Sequence, residues 1–263
     1  MNEAEVQLIR DGEIATLLLS NPSKLNALTG QHYERMRGLI ATIRHDPSIR
    51  ALVLTGQGRA FCAGADLNFL GSTGEAERTR GEVISDLMWS ACNPLILEIQ
   101  ALPIPVLTSL NGAVAGAGVG IALAADVVIA ARSAYFYLPF ASKLGILPDL
   151  GSTWFLPRLA GRARSMGMAM LGDKIDAEQA LKWGLIWACV DDSALQSETQ
   201  SLARRIAQLP RSMALELREA FRQSEVNGLA GQLDYERERQ SELLDGAAFN
   251  AAVATFISAR GSR

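Results

Sequence analysis

Three short, largely apolar runs constrain this chain more than any other feature. Residues 51–55 (ALVLT), 106–110 (VLTSL) and 127–130 (VVIA) lack the in-and-out alternation of a strand with one wet face. Each therefore reads as a strand covered on both sides, the mark of a parallel sheet flanked by other layers. Helical spacing separates them: within 29–44, Tyr33, Met36, Leu39, Ile40 and Ile43 fall on one face, with Thr29 as its cap. Two further β-rich runs, 6–10 and 14–19, flank the hairpin signal Asp11-Gly12. From about Gly151 the pattern turns helical over 151–171, 177–184, 194–208, 211–226, 230–244 and 246–260, with 185–190 as a last short strand. The sequence thus predicts an α/β core with mainly parallel pairing and a helical C-terminal third.

Composition narrows the function. Of 263 residues, 49% are hydrophobic and 20% charged, enough apolar surface for a sizeable core. The formal net charge of -3 argues against a nucleic-acid partner, whose phosphates would call for clustered Lys and Arg. The longest apolar run, 113–125, ends at Asp126 and is shorter than the ~20 residues of a bilayer span, so no membrane association is expected. Three cysteines (Cys62, Cys92, Cys189) form no CxxC pair, and neither they nor the two histidines (His32, His45) have metal-ligand spacing. No metal and no redox cofactor is expected. The opening stretch MNEAEVQLIRDGE is acidic where a secretion signal is basic, so a reducing, cytoplasmic setting is expected.

Two glycine-rich stretches directly follow buried strands: 58–67 (GRAFCAGADL) and 111–120 (NGAVAGAGVG). Small residues there let a ligand approach backbone N–H groups closely. The second stretch lacks a proper GxGxxG and its downstream ribose acid, which excludes a dinucleotide loop. The polar segment 71–80 (GSTGEAERTR) reads as a mobile loop.

Taken together, Lys24 and Asn26, then FCAGADL at 61–67, NGAVAGAG at 111–118 and LGILPDLGST at 144–153 resemble, in order and spacing, the crotonase (enoyl-CoA hydratase/isomerase) superfamily. The resemblance spans about residues 5 to 260. It implies a spiral of ββα units over 1–195 and a helical oligomerisation region over 196–263, assembling trimers or hexamers. It also implies an acyl thioester of coenzyme A as substrate, with no cofactor beyond that coenzyme. Carried over by position, the amides of Ala63 and Ala117 form the oxyanion hole; Lys24, Leu25, Ala65, Asp66 and Leu67 hold the coenzyme, with Phe256 completing its site from a neighbouring subunit. Candidate acyl-pocket residues are Leu70, Trp89, Val119, Phe140 and Trp154, each more readily read as ordinary core than as a substrate contact.

The acids decide the expected reaction. Family hydratases use two glutamates, which would stand here at Gly120 and at about Phe140 or Ala141. None of these is an acid. Asp149, in LPDLG, matches the acid of certain family isomerases; its other reading is a cap for the helix beginning near Gly151. Residues 142–149, 151–154 and 157–164 are similar to isomerases that convert a ring epoxide of a phenylacetyl thioester to an oxepin and shift β,γ double bonds to α,β. A single carboxylate suffices for such a proton transfer. The alternatives are a hydratase using Glu75, Glu82 or Asp86, a dehalogenase with a histidine base, and a non-catalytic acyl-CoA or RNA binder.

Overall fold

Gly12 (φ +57) turns the chain between two antiparallel strands, and from there it spirals through repeated strand pairs. The structure is a computed structural model that describes residues 5–66, 68 and 78–261, without the side chains of 255, 256 and 258–261. Its strands are β1 (Val6–Asp11), β2 (Ile14–Leu19), β3 (Ala51–Gly56), β4 (Ala60–Cys62), β5 (Val106–Leu110), β6 (Ala113–Ala115), β7 (Val127–Ala131), β8 (Tyr135–Tyr137), β9 (Ile175–Asp176) and β10 (Ala188–Val190). A six-stranded sheet runs β1-β2-β3-β5-β7-β10, and a four-stranded sheet runs β4-β6-β8-β9. Pairing is parallel except in β1–β2 and β8–β9. Each turn of the spiral places one long strand in the first sheet and a short successor in the second: β3 then β4, β5 then β6, β7 then β8.

The unalternated runs are buried on both faces. Leu52, Leu54, Val106 and Val128 join the main core, with Met36, Ile40 and Ile43 of the helix Gly30–His45. Val53, Leu107 and Ile129 point to the opposite face, where Leu195 and Ala203 of the helix Leu195–Ile206 cover them. That helix is what moves the expected boundary at 195/196. The first compact unit extends through Gln208, because the helix belongs to the sheet's second cover. The second unit, residues 209–263, holds the helices Met213–Ser224, Leu229–Leu244 and Ala247–Gly261. Within it, Arg239 binds both carboxylate oxygens of Glu216 at 2.9 and 3.1 Å.

Two expectations differ in detail. The stretch 151–171 is two helices, Ser152–Ala160 and Arg162–Leu171, broken at Gly161 where φ is +79. The expected strand 185–190 contracts to Ala188–Val190. No described helix is long and apolar enough to cross a membrane.

Candidate active site

A cavity of about 360 Å³ opens in the first unit, where the two glycine-rich turns meet the segment 139–150. Leu28, Ile84, Leu87, Met88 and Phe140 give it a mostly apolar wall. Against that wall stand a few polar groups from Ala65, Ala117, Asp149, Tyr33 and Cys92.

The first turn is shaped by Leu25 and Asn26, both left-handed at φ 52 and 56. Asn26 is buried, and its Nδ2 donates to the carbonyls of Gln57, Ala60 and Phe61 at 3.1, 2.8 and 3.2 Å. Its Oδ1 accepts from the Asn21 amide at 2.8 Å. This clamp sets the neighbouring Leu25 carbonyl against the Ala63 N–H, which donates to it at 3.0 Å. Ala63 therefore offers no free amide, and its expected place in the oxyanion hole is corrected. The following segment pairs with Leu28: the Leu28 N–H donates to Gly64 O and the Asp66 N–H donates to Leu28 O, both at 2.8 Å. Backbone groups alternate direction along an extended segment. The Ala65 N–H thus faces away from Leu28, toward the cavity, and has no partner among the described residues.

The second turn presents Ala117. Gly116 takes φ +53, donates to Tyr137 O at 3.0 Å, and ends where the helix Ala117–Leu123 begins. As the first helical residue Ala117 has no intrahelical acceptor for its N–H. The two turns touch through Gly64: a Cβ there would lie 3.0 Å from Ala115 O and 3.2 Å from Ala117 N, at φ +94. Glycine at 64 is what allows the free amides of Ala65 and Ala117 to share one end of the cavity.

Asp149 enters from the other side, on a turn where Leu150 and Gly151 take φ 46 and 80. The turn packs on Gly120, where a Cβ would lie 2.2 Å from Leu150 O. Asp149 does not cap the helix after it. Gly151 is the cap without a side-chain bond, and the Ser152 N–H donates to the Asp149 backbone carbonyl at 2.9 Å. The Oδ1 of Asp149 is buried with no hydrogen-bond partner among the described residues. Burial pushes its pKa up to about 6, against a smaller opposing effect of its own backbone N–H.

Asp149 is the only carboxylate lining the cavity among the described residues. Glu82 caps its helix through the Thr79 N–H at 2.7 Å, and Asp86 pairs with Arg78. His32 is held by Glu5 at 2.9 Å and by Thr29, while His45 bonds Ala41 O at 2.8 Å; neither lines the cavity. Among the described residues no three His, Cys, Asp or Glu side chains stand together as a metal site.

Of the residues expected to hold coenzyme, Lys24 and Asp66 come together, Nζ to Oδ2 at 3.2 Å, with the lysine exposed and the aspartate buried. Leu25 contributes its backbone turn. Leu67, Leu70 and Glu75, much of the expected loop and the Phe256 side chain lie outside the described residues. Phe140 lines the cavity, Val119 is core, Trp89 is 82% exposed, and Trp154 stacks under Arg158 with the guanidinium 4.0 Å from the ring centre. Sequence reasoning alone does not single out Tyr33 and Cys92, which line the cavity. A hydroxyl and a thiol on otherwise apolar faces were the available signal.

The sequence model described as "Enoyl-CoA hydratase/isomerase" matches residues 10–262. The chain belongs to that family. A 1,2-epoxyphenylacetyl-CoA isomerase of Escherichia coli (strain K12) is 42% identical over 94% of this chain and 93% of its own. A Rhodobacter capsulatus relative carrying the name "Probable enoyl-CoA hydratase" is 40% identical over 94% and 92%. Among solved structures, an enoyl-CoA hydratase from Bacillus anthracis superposes with a TM-score of 0.88 at 26% identity, covering 97% of this chain and 96% of that one. Members of this family act on acyl-CoA substrates.

Proposed function

We propose that this family member is an acyl-CoA isomerase in which Asp149 carries one proton while a thioester enolate is held by the amides of Ala65 and Ala117. The observation that carries the reading is the isolation of Asp149 as the cavity's acid among the described residues. Removing the proton between thioester and double bond places negative charge on the thioester oxygen. Two fixed amides aimed at that oxygen stabilise the enolate more than the ketone-like ground state, each worth on the order of 3 kcal/mol. Asp149, protonated by this step, returns the proton to the γ carbon; the double bond moves into conjugation, and no water is consumed. A carboxyl near pH 6 is suited to both halves of that transfer. Activating water would call for a second acid, and at position 120 the Leu150 carbonyl occupies its space.

The similarity to the E. coli relative supports a substrate in which the γ carbon belongs to an oxygenated ring, in addition to simple 3-enoyl thioesters. Lys24, at the exposed end of its pair with Asp66, is suited to the phosphates of the coenzyme. The test supplies 3-enoyl-CoA and follows the conjugated 2-enoyl product, with 2-enoyl-CoA offered separately for hydration. Isomerisation that falls by about a thousandfold in Asp149→Asn is the expected result. Hydration at a comparable rate would overturn it.

A further inference from the structure

We infer that Tyr33 hydrogen-bonds an oxygen carried by the acyl group, so that the pocket selects an oxygenated ring thioester over its all-carbon counterpart. This rests on the reading above that the cavity holds the acyl end of the thioester. Tyr33 lies on the inward face of the helix Gly30–His45, and Cys92 faces it from the turn Met88–Cys92; each is 3% exposed. Both line the cavity that contains Asp149, Ala65 and Ala117.

The Cys92 thiol is the polar neighbour of the Tyr33 hydroxyl, which makes no well-formed hydrogen bond among the described residues. Sulfur is a weak acceptor, and a buried hydroxyl is costly where its hydrogen bond is poor. A pocket serving only hydrocarbon would be better lined by phenylalanine there. An ether or epoxide oxygen is a stronger acceptor than the thiol, so a substrate bearing one gains a bond that a carbocycle forgoes. Burial, then the neighbouring Cys92, Cys62 and Asp149, holds the phenol well above its ordinary 10.0, so it remains a donor while Asp149 is charged. Tyr33 and Asp149 line the same cavity, so that oxygen is held in the pocket where the proton moves. The oxygen keeps both its bonds to carbon and Tyr33 gives up no proton; the proton that moves goes from the α carbon to Asp149 and on to the γ carbon. Tyr33 is thus a specificity-determining residue.

The experiment compares dissociation constants of oxolan-2-ylacetyl-CoA and cyclopentylacetyl-CoA, which differ in one ring atom, for the full chain. The native chain is expected to bind the ether about tenfold tighter, the worth of one hydrogen bond to a neutral acceptor. Tyr33→Phe brings the ratio to about one, whereas Cys92→Ala, which removes the competing sulfur, keeps or enlarges it. A native ratio of one, or a ratio unchanged in Tyr33→Phe, overturns the inference. Because the readout is binding, it stands apart from turnover: a chain that prefers the ether yet isomerises no 3-enoyl-CoA would sink the isomerase reading and retain the role of Tyr33.

Discussion

Replacing Asp149 by asparagine should make the protein more stable while removing its activity. The carboxyl is displaced from 3.8 to about 6 by burial, with one oxygen left unbonded. At 1.36 kcal/mol per pKa unit, that displacement is a destabilisation of about 3 kcal/mol once the group is ionised in the folded and unfolded chain alike. Partial exposure of the side chain reduces this, so about 1–3 kcal/mol is expected at pH 7.5. The sign follows from proton binding. Between the unfolded pKa and about 6 the folded chain binds the extra proton, so the native protein loses stability as pH rises through that window. Asparagine has no proton to lose. The gap between the two proteins should be near zero at pH 4, grow through pH 5–6 and level off above 7.

Urea unfolding at pH 4, 5, 6 and 7.5 measures that gap directly, and thermal unfolding should follow at roughly 2–4 °C per kcal/mol. A functional acid kept charged in an unfavourable site gives this pattern. A helix-capping acid gives the reverse, since its carboxylate would be stabilised by the fold and asparagine would bind as a weaker cap. A variant that is less stable than the native chain at pH 7.5, or a gap that shrinks as pH rises, would refute the reasoning.

Three further outcomes follow from the same geometry. As the base must be ionised, kcat/KM for 3-enoyl-CoA should rise about tenfold per pH unit below an inflection near 6 and be flat above it, measured from pH 4.5 to 8.5. Gly120→Glu should lose about 3 kcal/mol in urea unfolding and gain no hydration of 2-enoyl-CoA, because its Cβ would stand 2.2 Å from Leu150 O. Asn26→Ala removes a left-handed residue together with the bonds holding Gln57, Ala60 and Phe61; it should cost about 2–4 kcal/mol and lower kcat by loosening the turn that presents Ala65.

Much of the scaffold is legible in the sequence because burial on both sheet faces leaves an apolar run with nothing to alternate, as at 51–55. The second sheet was not. Its strands β4, β6 and β8 are three residues long, too short to establish a period, and β9 is two. At the site, Gly64 and Gly116 mark the turns, and the isolated acid in LPDLG marks the cavity's carboxyl. Which amide of the first turn is free was hidden, because direction depends on pairing. Ala63 and Ala65 are the same residue type two positions apart, and the Leu25 carbonyl, set by a left-handed Leu25, takes the first and leaves the second. Tyr33 is hidden for another reason: it keeps helical register with Met36 and Ile40, so its ring reads as core, and its place at the site becomes visible only once the cavity it lines is seen.

Gly120 and Asp149 are best understood as one decision. A residue with a side chain at 120 and the Leu150 carbonyl compete for the same volume, as the 2.2 Å separation requires. With glycine at 120 the 147–151 turn closes onto the short helix, Leu150 accepts a left-handed backbone, and the acid one residue earlier is carried into the cavity. A glutamate at 120 would force that turn outward and withdraw Asp149 as it arrived. The amides of Ala65 and Ala117 are indifferent to the exchange, because the turns that present them are set by Gly64 and Gly116 on the opposite wall. On the proposed mechanism one scaffold stabilises the same enolate in either case, and the acid's point of entry determines whether water is activated or a γ carbon is protonated. Restoring a hydratase-like pair would accordingly need the 147–151 turn rebuilt along with position 120, and neither substitution alone should produce hydration.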